Sequence, residues 1–263
     1  MSKKMTKHIV ALIILTVSAF TASAVPGTIA RADSAYNADN YQLALELYTQ
    51  NPGHKSSPEL LYNIGNAYYR LGDLGRAVLY FERALKIDPT FSDAKANLDF
   101  VNTKIIDEKQ SASGSFLSNA SHDIAMTANA NTWAVITLIL FIIITAAISL
   151  YIFSGNIIMR KTGFFGAIIT FILFLISLAF AIYSYSFAHS HAEAIITAPS
   201  TILSTKPRAP QARTEEAMLL HQGTKVTILD SINTYDSNGN RWFDVRIDNN
   251  HRAWIKDTDI ERI

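Results

Sequence analysis

Apolar positions gather in three unbroken blocks, Ile9 to Phe20, Trp133 to Phe153 and Phe164 to Phe187, and most charges lie between or beyond them. The first block follows Lys3, Lys4 and Lys7 and is succeeded by Ala22-Ser23-Ala24, an Ala-x-Ala cleavage pattern. That layout predicts a secretory signal peptide over residues 1–24, the alternative being an uncleaved anchor of the same orientation. The other two blocks contain no Asp, Glu, Lys or Arg. At ~1.5 Å per residue, a helix of about 20 such residues crosses a hydrocarbon core of ~30 Å. Transmembrane helices are therefore predicted over 132–153 and 163–187. Trp133, Tyr151, Tyr183 and Tyr185 stand near their ends, where interfacial aromatics belong. Small residues, Ala146 and Ala147 in one block, Gly163 and Gly166 at the start of the other, predict close helix packing.

Orientation follows from the basic residues. Between Lys109 and Lys206 the only Lys or Arg residues are Arg160 and Lys161. The positive-inside rule places the connecting loop, 154–162, in the cytoplasm. The basic start of the chain points the same way. Residues 25–131 and 188–263 are then expected together in the periplasm of a bacterial inner membrane. Spans without ionisable groups argue against transport, which needs them at depth.

The polar–apolar rhythm of residues 58–91 is that of a helix–turn–helix. Leu61, Ile64, Gly65 and Tyr68 mark one helix, Ala77, Phe81 and Ala84 the second, and Pro89 closes the unit. Ser57-Pro58-Glu59 is a helix start and Gly72-Asp73 a break. Small residues at Gly65 and Ala77 let the helices cross closely, with Tyr68 and Phe81 filling the space beside them. The spacing matches the 34-residue tetratricopeptide (TPR) pattern, with Leu61 where Trp is usual. One repeat cannot bury its own face. Ala32, Ala35, Tyr36, Tyr41, Ala44, Leu47 and Tyr48 supply a degenerate repeat upstream. Downstream, Thr90 and Asp93 are expected to cap a final helix bearing Ala94, Leu98, Val101 and Ile105. The TPR domain is thus assigned to 25–106 and a Ser- and Ala-rich tether to 107–131. On the first helix Tyr62, Asn63, Asn66, Tyr69 and Arg70 share a polar-aromatic face, the candidate partner-binding groove. Amides and a guanidinium there suit an extended backbone or a carboxylate.

Residues 188–263 read as all-β. Strands are expected at Ala194-Ile195-Ile196, Lys225–Leu229, Trp242–Ile247, Ala253–Ile255 and Asp259–Ile263, with turns at Gln222-Gly223, Asn238-Gly239 and Asn249-Asn250. Five short strands predict a small barrel, and the order of these segments is similar to bacterial SH3 domains. Pro199 to Met218 is then a long loop. Trp254 is assigned to the core, while Tyr235 and Trp242 are the candidate partner-binding residues of this module. The expected fold class is a multidomain membrane protein: an all-α TPR repeat, a two-helix transmembrane hairpin and a C-terminal all-β SH3-like barrel.

Charge and chemistry narrow the function. Lys and Arg number 23 against 22 acids, and no basic cluster awaits a nucleic acid. The absence of cysteine excludes disulfides and a thiolate nucleophile. No phosphate-binding glycine loop, zincin helix or nucleophile elbow occurs. His189, His191 and Glu193 lack a further ligand for a metal, and read as a polar collar. No cofactor, metal or catalytic residue is expected, and the reading is of a non-catalytic scaffold.

The order of parts resembles the TPR proteins of the Bacteroides aerotolerance (Bat) family. It rests on Leu61-Tyr62-Asn63-Ile64-Gly65-Asn66-Ala67-Tyr68-Tyr69, Arg83-Ala84-Leu85-Lys86-Ile87-Asp88-Pro89 and Ala94-Lys95-Ala96-Asn97-Leu98, followed by two spans and the β module. The resemblance implies an envelope complex linked to stress tolerance. Its implied partners are von Willebrand factor A-domain membrane proteins, a MoxR-type ATPase and other Bat components. The alternative is a peptidoglycan-binding protein acting through the SH3-like module.

Overall fold

The computed structural model describes residues 26–107, 120, 123–189, 193–231, 235–236, 239–248 and 251–263. The predicted signal peptide, most of the predicted tether, His191 and the expected Asn249-Asn250 turn lie outside the described residues. The chain divides into two compact units, Met1–His54 and Lys55–Ile263.

In the first unit, α1 (Pro26–Asn37) packs on α2 (Tyr41–Gln50). The turn between them uses Asp39 at φ 58°, and Asn40 caps α2 by accepting from the Leu43 N–H at 3.2 Å. Ala32, Ala44 and Tyr48 are buried, and the Tyr48 hydroxyl donates to Asp33 at 2.6 Å, tying one helix to the other.

The second unit begins with α3 (Pro58–Arg70) and α4 (Leu74–Ile87). Ser57 caps α3 and Asp73 caps α4, each through a side-chain oxygen, and Gly72 makes the break at φ +82°. The helices cross at Gly65, where an added Cβ would stand 2.8 Å from the Phe81 ring. That ring is fully buried, as the repeat pattern requires. The next helix, α5 (Ser92–Asn102), starts without the expected cap. Thr90 instead turns back, its N–H and hydroxyl both donating to Asp88.

Helices α6 (Ala130–Phe153) and α7 (Ile157–His189) form an antiparallel pair, and both are long and apolar enough to cross a membrane. Their register is set by Trp133 with Phe180, Thr137 with Ser177 and Tyr151 with Phe164. At Gly163 an added Cβ would lie 2.7 Å from the Ala147 carbonyl oxygen, so this small residue does set the approach. Gly166 has nothing within 4 Å and plays no such part. The turn is shorter than expected. Asn156 accepts from the Ile158 N–H at 2.8 Å and starts α7 there, bringing Arg160 and Lys161 into the helix.

Among the described residues after α7 there is one antiparallel sheet of seven strands: β1 (Glu193–Ile196), β2 (Ser200–Ser204), β3 (Glu216–His221), β4 (Lys225–Ser231), β5 (Trp242–Arg246), β6 (Arg252–Lys256) and β7 (Ile260–Arg262). Their order is β3-β2-β6-β5-β4-β1-β7, with β3 and β7 at its ends. The five-stranded closed barrel is thereby corrected. The supposed loop 199–218 contains most of a hairpin, β2 and β3, pairing Ser200 with His221 through Leu203 with Met218. Thr201 and Leu203 alternate inward, a period-2 signal, while Pro199 precedes β2 and Pro207 and Pro210 stand in the segment between the strands.

In β1 the same alternation decides the architecture. Ala194 and Ile196 enter the sheet's core beside Val226, Val245 and Ile255. Ile195, 0% exposed, points the other way and joins Ala77, Val78, Phe81, Leu98 and Val101. The helical repeat and the sheet therefore share a core, although the apolar hairpin separates them in sequence.

Candidate partner-binding face

Two surfaces of the repeat differ sharply. One side of α4 is sealed against β1 and β7. Gly75 permits this, because an added Cβ would stand 2.9 Å from the Ile196 carbonyl oxygen and 3.1 Å from Gln222 Cβ. Arg76 pairs with Glu261 at 3.3 Å, and Arg83 donates to the Arg262 carbonyl. Lys86, buried, donates to the Ile263 carbonyl at 3.0 Å, and its burial lowers its pKa. Lys225 bridges Glu82 at 3.2 Å and Glu193 at 3.0 Å. Burial works against its charge, yet the two carboxylates prevail and raise its pKa above the ordinary lysine value.

The seal ends at Asp107, expected in the tether. Its carboxylate accepts from the Thr224 hydroxyl at 2.6 Å, the His221 N–H at 2.7 Å and His221 Nδ1 at 2.9 Å. Burial would raise its pKa, but these hydrogen bonds outweigh that and hold it below the usual carboxylate value. Beside it, Ile105 packs on Gly223, whose φ of +90° and lack of a Cβ admit the side chain.

The other surface is the side of α3 that meets α5. Asn66 accepts from Asn97 Nδ2 at 2.7 Å, and the Tyr62 hydroxyl accepts from the same amide at 3.3 Å. Tyr62 also leans on Phe81 and Phe91, so its ring is half structural. The Tyr69 hydroxyl accepts from Lys104 at 2.9 Å, and the Lys104 ammonium lies 4.8 Å from the Phe100 ring centre. Asn63 is half-buried and Arg70 is exposed on the last turn of α3. The structure thus brings Tyr62, Asn66 and Tyr69 into one seam with three residues the sequence reading did not select: Asn97, Phe100 and Lys104. Their spacing of three and four, over α5 and the turn that follows it and complementary to Leu98 and Val101, was the available signal. Phe100 stays 52% exposed although its ring meets the Tyr69 ring edge-on at 5.8 Å.

The candidates on the sheet fare differently. Tyr235 is exposed. Trp242 is 1% exposed, and its indole N–H donates to Asp236 at 2.8 Å. It is a core residue with no face to offer a partner, and Trp254, assigned to the core, is the half-buried one. Asp244, also buried, is neutralised by Arg252, so β5 is covered on both faces.

The family model described as tetratricopeptide repeat matches residues 58–91. That match covers α3, α4 and the link to α5, the elements that build both surfaces. No curated protein matches the chain. A TPR repeat suggests a protein–protein interaction scaffold with protein partners.

Proposed function

We propose that this chain is a non-catalytic scaffold of the bacterial inner membrane that holds protein partners on the α3–α5 face. The observation that carries the reading is the asymmetry of the repeat. The sheet occupies the side of α4, while Asn66, Asn97 and Tyr69 stay half-buried in the α3–α5 seam and Lys104 and Phe100 remain exposed beside them. Amide pairs suit an extended backbone, and the ammonium and guanidinium suit carboxylates. In this reading α6 and α7 cross the bilayer with Arg160 and Lys161 in the cytoplasm, and the shared core of repeat and sheet lies in the periplasm. A hairpin returning the chain to its starting side is what such a core needs. Tethering at the membrane raises the effective concentration of the face for membrane partners. From the resemblance to BatE-type members of the Bat family, those partners are von Willebrand factor A-domain proteins in an aerotolerance complex. The burial of Trp242 removes one of two aromatics on which a peptidoglycan-binding reading would rest.

The test is co-purification from membranes. Replacing Asn63, Asn66 and Arg70 together by Ala should reduce recovery of the von Willebrand factor A proteins several-fold with helical content unchanged. Undiminished recovery would place the binding surface elsewhere. Retention of the detergent-solubilised full chain on peptidoglycan would favour the cell-wall alternative.

A further inference from the structure

The turn of the apolar hairpin holds a basic, aromatic-walled cavity that partner binding does not use. It has a volume of about 350 Å³ and is lined by Tyr151, Ile157, Arg160, Lys161, Phe164 and Phe165. The Arg160 guanidinium stands 5.5 Å from the Tyr151 ring centre, and Tyr151 in turn packs on Phe164 at 5.7 Å. Aromatic stacking thus holds one wall and orients the guanidinium. The sequence contains no Asp or Glu between Asp123 and Glu193, so the hairpin supplies neither cation with a carboxylate. Ile157 and Phe165 of its lining, and Ile158 beside it, are exposed.

Two cations beside apolar surface call for a ligand with two matching parts. A phosphate accepts the planar fork of an arginine and the point charge of a lysine together. A hydrocarbon chain covers the exposed isoleucines and phenylalanine. Inorganic phosphate satisfies only the first demand and a zwitterionic lipid weakens it with its own ammonium. We infer that this cavity binds the phosphate of an anionic phospholipid in the leaflet that holds the turn. The site rests on the proposed insertion of α6 and α7 into a bilayer.

The experiment has two stages on the full chain. Flotation with vesicles of phosphatidylcholine alone, and of phosphatidylcholine with phosphatidylglycerol, first establishes insertion. Native mass spectrometry of the detergent-solubilised protein then compares phosphatidylglycerol, phosphatidylcholine and inorganic phosphate. Phosphatidylglycerol adducts should exceed phosphatidylcholine adducts about thirty-fold, the scale expected of two juxtamembrane cations. R160Q/K161Q should erase the difference, R160K should keep most of it, and inorganic phosphate should not compete. Equal adducts for the two lipids, an unaffected double variant, or competition by phosphate would each overturn the lipid site while leaving insertion standing. Failure to float with either vesicle would overturn insertion and the site together.

Discussion

Substituting Gly75 with alanine reverses the sign of a familiar effect if α4 is docked on the sheet. In an undocked helix, Gly→Ala stabilises by about 1 kcal/mol, because glycine is the poorer helix former. In the docked arrangement the new methyl would stand 2.9 Å from the Ile196 carbonyl oxygen, 3.1 Å from Gln222 Cβ and 3.2 Å from Thr197 Cα. Two of these atoms belong to backbone of β1 and its continuation, which yields only if the strand moves. Overpacking of this kind costs about 1–3 kcal/mol, so the net expectation is a loss of up to ~2 kcal/mol. Gly75→Val sharpens the contrast: its helix propensity is only slightly better than glycine's, while two further methyl groups meet the same wall. Denaturant unfolding of the full chain in detergent provides the assay. In a background with Trp133→Phe and Trp254→Phe, the fluorescence of Trp242 serves as the probe, since that residue is buried in the sheet. The midpoint should fall from Gly to Ala and fall again to Val. A midpoint raised by alanine would refute the docking of helix on sheet.

Asp107 predicts a pH dependence with a definite sign. Its folded pKa lies below the ordinary value. Its contribution is therefore complete above the unfolded pKa of about 3.9 and is lost as pH falls through the folded one. Asp107→Ala should cost about 1–3 kcal/mol at pH 7 by stranding the Thr224 and His221 donors, and the deficit against the native chain should shrink below about pH 4. A deficit that is constant across that range would contradict the latch. On the sheet, Trp242→Phe should lower stability by about 1–3 kcal/mol through a lost hydrogen bond and a void. Tyr235→Ala should change stability by less than about 0.5 kcal/mol. A Tyr235 variant that unfolds as readily as the Trp242 variant would show that the exposure of Tyr235 has been misjudged.

Much of this was written in local patterns. Gly65, Ala77 and Phe81 announce their own crossing, since only a small residue fits under a ring at that spacing. The apolar blocks specify two long helices by composition alone. The β2–β3 hairpin escaped because prolines suggested a loop, yet Pro207 and Pro210 punctuate only the segment between the strands. Which of Trp242 and Trp254 is buried depended on Asp236 being present to take the indole N–H, and that partner is not implied by alternation. Least legible was the docking itself. Ile195, Asp107 and Gly75 meet their partners across more than ninety residues of chain, and neither their types nor their spacing marks them. For the same reason Asn97, Phe100 and Lys104 were passed over: a solvent-side stripe becomes a site only when α3 lies next to it.

The shared core of repeat and sheet is the claim on which the scaffold reading stands, and the cysteine-free chain makes it directly testable. Asp107 and Thr224 touch through short side chains at 2.6 Å. In the double variant Asp107→Cys/Thr224→Cys, a short homobifunctional maleimide applied to the full chain should bridge the two thiols within one molecule, read as a single added linker in an intact mass measurement. Single variants should take up the reagent without bridging. Two thiols that each take up their own reagent molecule would mean that helices and sheet do not meet, and that the open face of the repeat has been wrongly assigned.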